Sequence, residues 1–130
     1  MFREVHIQRV NDDELTPLMA NAATPRRYKQ VFGDDLLTLF ANAEKDTEDG
    51  GKVYKIDFIA ELAYIMSMQA QAADGKARLD KLNSNGFLDW LEQFEGMAFE
   101  NAATEILNVY LGNTATASTA KKNNEEQNES

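Results

Sequence analysis

The side chains able to act on a substrate are few in this sequence, and they are scattered. His6 is the only histidine and lies in a loosely alternating N-terminal stretch. General acid–base work needs titratable groups brought together and held, so a histidine in so sparse a setting reads as a surface residue. No cysteine is present, which removes thiol catalysis, disulfides and cysteine-rich zinc sites. There is no GxSxG elbow, no phosphate-cradling glycine loop and no HExxH. Asp46, Glu48 and Asp49 superficially resemble a calcium loop. They lack the alternating oxygen ligands and the terminal bidentate Glu, so they read as a solvated loop. Glu92 and Glu95 stand three apart with Asp89 before them. Paired carboxylates do acid–base work only in a pocket that perturbs them, and these fall on the polar face opposite Phe87, Leu91 and Phe94. Arg26, Arg27 and Lys29 form the one basic cluster and read as the solvated face of a short helix. No catalytic, cofactor-binding or metal-binding residue is expected, and the protein is read as no enzyme.

The charge balance narrows the partners. Twenty-two acidic residues against 13 basic ones give a formal charge of −9. Such a surface repels nucleic acid, whose phosphates call for clustered Lys and Arg, and keeps the chain soluble. The N-terminus, MFREVHIQRVNDDE, has no apolar core of a signal peptide, and nothing reads as a membrane span. A cytoplasmic location is expected.

The elements that would position any site are arranged around Ile56 to Ala73, IDFIAELAYIMSMQAQAA. Phe58, Leu62 and Ile65, and again Ile59, Ala63 and Met66, have helical spacing. A helix apolar nearly all round must be buried. Before it, residues 2–10 and Leu15 to Ala23 are two short extended runs about an Asn11-Asp12-Asp13 turn. Val5 and Ile7 fall on one side and Phe2 on the other, which predicts a β-hairpin with Pro17 on an edge strand. Thr24 and Pro25 start a helix to Phe32, Thr24 capping it and Gly33 ending it. Asp34 caps the next helix, on which Leu36, Leu39, Phe40 and Ala43 share a face. Lys45 to Lys52 is a polar loop with Gly50-Gly51. Lys76 to Asn83 is a connector with a helical turn carrying Leu79 and Leu82, and Asn83 to Gly86 is a turn. Phe87, Trp90, Leu91 and Phe94 then form a helical stripe up to Gly96. The last helix, Ala98 to Leu111, turns Phe99, Ala102, Ala103, Ile106, Leu107 and Tyr110 inward. From Asn113 the chain has no large apolar residue, so disorder is expected.

The fold class is therefore α+β and mostly α: about five helices, a short N-terminal hairpin and a disordered C-terminal tail. The units are the hairpin over residues 1–23, packed on a helical domain over 24–112, and the tail over 113–130. Met66 and Met68 read as core in an apolar helix, although thioethers also suit adaptable surfaces. Phe87, Trp90, Phe94 and Phe99 make a dense aromatic group. Core is the plain reading, but aromatic rings are also favoured at interface centres. Phe87, Trp90 and Phe94 are the candidate partner-binding residues, with Trp90 first because it lies at the edge of the stripe.

The segment Ala22 to Leu37, AATPRRYKQVFGDDLL, resembles the tail assembly chaperones of long-tailed phages and prophages of Gram-positive bacteria. Their ATP-x-R-Y-x-x-x-F-G-x-D-hydrophobic segment follows an N-terminal hairpin. The resemblance continues in layout, through IDFIAELAYIMSMQA, FLDWLEQF, a final amphipathic helix and a Ser/Thr/Lys/Asn/Glu-rich tail. It implies a non-enzymatic role in the host cytoplasm: coating the tape measure protein, helping recruit tail tube subunits, and leaving before the virion is complete. Such proteins are often made in two lengths by ribosomal frameshifting, and by that plan this chain corresponds to the shorter product. The resemblance implies no catalytic residue, no cofactor, no nucleic acid and no membrane, and it allows self-association. Two other readings fit the residues. One is a structural virion protein such as a head–tail connector or tail completion factor. The other is a small DNA-binding regulator with a helix-turn-helix around Gly33, against which the acidic charge speaks.

Overall fold

A computed structural model describes residues 1–45 and 56–112. The polar loop with Asp46, Glu48 and Asp49, and the tail from residue 113, lie outside the described residues. The architecture is a two-stranded antiparallel sheet at the N-terminus followed by helices, α+β and mostly helical.

Strand β1 (Phe2–Val5) pairs with β2 (Thr16–Met19), Phe2 opposite Met19 and Val5 opposite Thr16. The backbones of Met1 and Ala20 close the ladder, with Ala20 N–H donating to Met1 O at 2.8 Å and the terminal ammonium donating to Ala20 O at 2.7 Å. Bonded and non-bonded pairs alternate in such a ladder. Glu4 and Pro17 then form a non-bonded pair, where the missing proline N–H removes no ladder bond. Val5 and Leu18 face inward and are fully buried, while Phe2 faces out. Asp12 Oδ1 accepts the Glu14 N–H at 2.9 Å, the expected turn chemistry.

The pairing is shorter than the two extended runs in the sequence. Beyond Ile7 the chain leaves β2 and runs beside residues 93–95. Val10 N–H donates to Gln93 O at 2.9 Å and Glu95 N–H to Gln8 O at 3.0 Å, with Arg9 opposite Phe94. The hairpin connector is thus stitched to residues 93–95, distant along the chain.

Helix α1 (Thr24–Phe32) ends at Gly33, whose φ of 85° is left-handed and whose N–H donates to Lys29 O. That conformation suits glycine because it has no Cβ. The start differs from expectation. The N-cap position is Ala23, with no side-chain cap bond. Thr24 is the first helical residue, fully buried, and its hydroxyl accepts from Asn21 N–H at 3.0 Å and from Gln69 Nε2 at 2.8 Å. A hydroxyl turned into the core cannot also bend back to its own helix.

Helix α2 (Leu36–Lys45) is capped by Asp35 rather than Asp34: Asp35 Oδ1 accepts the Leu37 N–H at 3.0 Å. The turn at Gly33 uses up Asp34, leaving Asp35 as the flanking residue whose carboxylate reaches the free N–H. Leu36 is fully buried, and Leu39 and Phe40 pack on the core.

Helix α3 (Ile56–Ala73) is the axis of the molecule. Ile59, Leu62, Ala63, Ile65 and Met66 are fully buried, and Phe58, Ala60 and Tyr64 nearly so. It packs on β2 and α1 on one side and on α4 on another. A short 3-10 turn (Leu79–Lys81) leads to α4 (Ser84–Leu91). The Asn83–Gly86 turn is itself the start of α4, since Asn83 Oδ1 accepts the Gly86 N–H at 2.7 Å. Helix α4 ends at Leu91, so Phe94 reaches the core from an extended segment and not from the helical stripe. Helix α5 (residues 98–112) closes the core with Phe99, Ala102, Ile106 and Leu107. Val109, absent from the expected inward set, is fully buried as well.

Candidate functional site

The residues picked for chemistry stay apart. His6, Asp89, Glu92 and Glu95 are exposed. Among the described residues no group of three His, Cys, Asp or Glu side chains is placed to hold a metal ion. The basic cluster is divided. Arg26 and Lys29 are exposed, whereas Arg27 Nη1 donates to Gln69 Oε1 at 2.7 Å.

The aromatic residues picked for partner binding do come together. Phe87, Trp90 and Phe94 are 8%, 6% and 7% exposed. Tyr64 from α3 lies 5.5 Å from both Phe87 and Trp90, and Trp90 lies 4.8 Å from Phe94 and 5.5 Å from Phe99, between ring centroids. Such tilted pairs stabilise beyond their buried area. The Arg9 guanidinium sits 5.3 Å over the Phe94 ring, donates to Gln93 Oε1 at 2.8 Å, and pairs with Asp12 at 2.7 Å. The three rings are core, with too little free area to form a contact surface alone. Trp90 nevertheless borders an open cleft. The large apolar side chains left exposed are others, among them Phe2, Leu15, Leu37, Leu88 and Met97.

A second feature is polar and internal. Gln69, 2% exposed on α3, donates from Nε2 to Met19 O at 2.7 Å and to Thr24 Oγ1 at 2.8 Å, while its Oε1 accepts from Arg27. One amide therefore ties β2, α1 and α3 together. Two turns earlier on α3, Glu61 Oε1 accepts the Tyr28 hydroxyl proton at 2.5 Å. Two phenols are displaced upward from the ordinary tyrosine value. Burial raises Tyr64, opposed by the Asn83 backbone and aided by the Asp89 charge. Burial also raises Tyr110, with Asp35 adding to it. Both stay protonated at neutral pH and act as packing groups.

The sequence pattern missed the Gln69 node and the cleft. The available signal was an amide inside a mostly apolar helix, and spacing alone does not distinguish buried Gln69 from its neighbour Gln71.

No helix of the described residues is long and apolar enough to cross a membrane. No protein-family model, curated protein or solved structure matches the chain.

Proposed function

We propose that the protein is a non-enzymatic tail assembly chaperone of a long-tailed phage or prophage. It binds the tape measure protein in the host cytoplasm, aids recruitment of tail tube subunits, and is absent from the finished virion. The observation that carries the reading is the segment Ala22–Leu37, placed directly after an N-terminal hairpin and before a buried central helix. Every distinctive residue of that segment has a packing task and none a chemical one. Thr24 and Tyr28 are buried, Phe32 packs against Tyr28 with tilted rings at 5.1 Å, Gly33 turns the chain and Asp35 caps α2. A protein that works by binding rather than by catalysis is consistent with scattered titratable groups.

Co-expression with the tape measure protein of the same genome tests the reading. A retained complex and increased solubility of the tape measure protein are expected. Unchanged solubility with no complex refutes it. Mass spectrometry of purified virions separates the chaperone from a structural virion subunit: the protein is expected to be missing, and its presence at stoichiometric levels favours the connector or completion factor.

A further inference from the structure

An open cleft of about 620 Å³ lies between the hairpin and the C-terminal half of α3, and reaches Trp90 and Gln93. Its rim is mixed, with exposed charged residues (Glu4, Glu14, Asp74 and Lys76) beside an apolar stretch. Phe2 is 56% exposed and Leu15 48%, and the thioethers of Met19 and Met68 are half-buried beside them. Methionine side chains repack around varied partners.

Two observations define the occupant. The first is that β2 gives an incoming strand little to pair with. Pro17 has no N–H, and the Met19 carbonyl is already taken by Gln69. Recognition therefore runs through side chains, as when the apolar stripe of a helix lies in a groove. The second is charge. Arg9 and Lys76 at the cleft are paired with Asp12 and Asp74, whereas the carboxylates of Glu4 and Glu14 have no ion pair among the described residues. With a chain charge of −9, a positively charged partner is favoured and a second copy is repelled.

We propose that this cleft is the docking groove for a basic amphipathic helix of a protein partner. Its apolar stripe lies on Phe2, Leu15, Met19 and Met68, and its Lys or Arg flank lies over Glu4 and Glu14. This assignment names no source for the helix and stands apart from the tail-chaperone reading. Failure of the co-expression experiment leaves it intact, and its own failure leaves that reading intact.

Trp90 borders the cleft and is the only tryptophan, so its emission reports occupancy directly. The probe is a synthetic peptide of about 18 residues, long enough to be helical, with Leu at i, i+3, i+4 and i+7 and Lys elsewhere. A saturable change in Trp90 emission is expected. Leu15→Asp and, separately, Phe2→Asp should each weaken binding by about tenfold or more, as loss of an interface anchor does. The pair Glu4→Gln with Glu14→Gln should weaken it and flatten its salt dependence. Leu88→Asp, on an exposed α4 position outside the cleft, should leave it unchanged. The proposal is overturned if no saturable change occurs, or if peptides with Glu for Lys or with scrambled Leu positions bind equally well. It is likewise overturned if Leu88→Asp weakens binding as much as Leu15→Asp, or if sedimentation shows a dimer that Leu15→Asp dissolves, since a second copy then fills the groove.

Discussion

Replacing Gln69 by Leu removes three hydrogen bonds at nearly constant volume, and the partners are not hurt equally. The Met19 carbonyl loses its side-chain partner at 2.7 Å on the β2 edge. An acceptor stranded in this way costs about 1–3 kcal/mol. Thr24 Oγ1 keeps the Asn21 N–H at 3.0 Å, so its loss is smaller, at about 0.5–1 kcal/mol. Arg27 is half-exposed and can return to water, which discounts its bond to near zero. The expected total is about 1.5–4 kcal/mol, a large share of the roughly 5–15 kcal/mol that holds a domain together. Urea unfolding followed by Trp90 emission reads it. With a slope of about 2 kcal/mol per molar urea, the middle of the usual range, the midpoint should fall by about 1–2 M. Gln69→Glu is the sharper variant. It retains an acceptor for Arg27 but turns a carboxylate oxygen towards the Met19 carbonyl. It should be worse than Leu at pH 7 and recover part of the loss at pH 4, where the protonated acid can donate again. The node is refuted if Gln69→Leu leaves the midpoint in place, or if Gln69→Glu is indifferent to pH.

Leu62→Asp puts an unpaired charge at a fully buried position of α3. Loss of the leucine alone is worth about 2–5 kcal/mol, and the charge adds to it; an unchanged melting temperature in circular dichroism would show that Leu62 is exposed. Gly86→Ala should destabilise although it removes a helical glycine, because the new Cβ would stand 2.8 Å from the Tyr64 hydroxyl oxygen, whose ring is held between Phe87 and Trp90. The same change in a Tyr64→Phe background should be neutral or stabilising, and a higher melting temperature for Gly86→Ala alone would refute the close approach. Stability should fall above about pH 10, the ordinary tyrosine value. With the folded values of Tyr64 and Tyr110 raised, the unfolded chain binds fewer protons in that range, so the slope of stability against pH is negative. Urea midpoints from pH 9 to 11 should fall less steeply in the Tyr64→Phe, Tyr110→Phe variant, and an identical slope would show that neither phenol is responsible.

Legibility in the sequence followed the range of the forces involved. The burial of α3 was readable because its apolar residues repeat on both faces of one short period. The hairpin was readable from alternation and turn residues, and the last helix from its stripe. What escaped depended on residues distant along the chain. Residues 8–10 leave the β2 ladder for residues 93–95, which no local pattern shows. Phe94 matches the helical stripe by spacing, yet α4 stops at Leu91 and an extended backbone delivers the ring to the same pocket. The caps at Thr24 and Asp34 were each misplaced. At Thr24 the reason lies forty-five residues away, where Gln69 claims the hydroxyl. Cap chemistry is local only when the core does not compete for the same oxygen.

That competition bears on what the Ala22–Leu37 segment signifies. Its Thr, Arg and Tyr each bond to α3: Thr24 and Arg27 to Gln69, and Tyr28 to Glu61. The spacing of Thr24, Arg27 and Tyr28, three and then one apart, puts them on a single face of α1, and their partners Glu61 and Gln69 lie two turns apart on one face of α3. The segment therefore encodes the docking of one helix on another, with the hairpin attached through Met19. A functional surface has to lie where this lock leaves side chains free. On the hairpin side that is the cleft rimmed by Phe2 and Leu15, held in shape by the same glutamine that closes the lock from within. Gln69→Leu should accordingly weaken peptide binding in the cleft as well as the fold, whereas an exposed rim change such as Leu15→Asp should weaken binding alone.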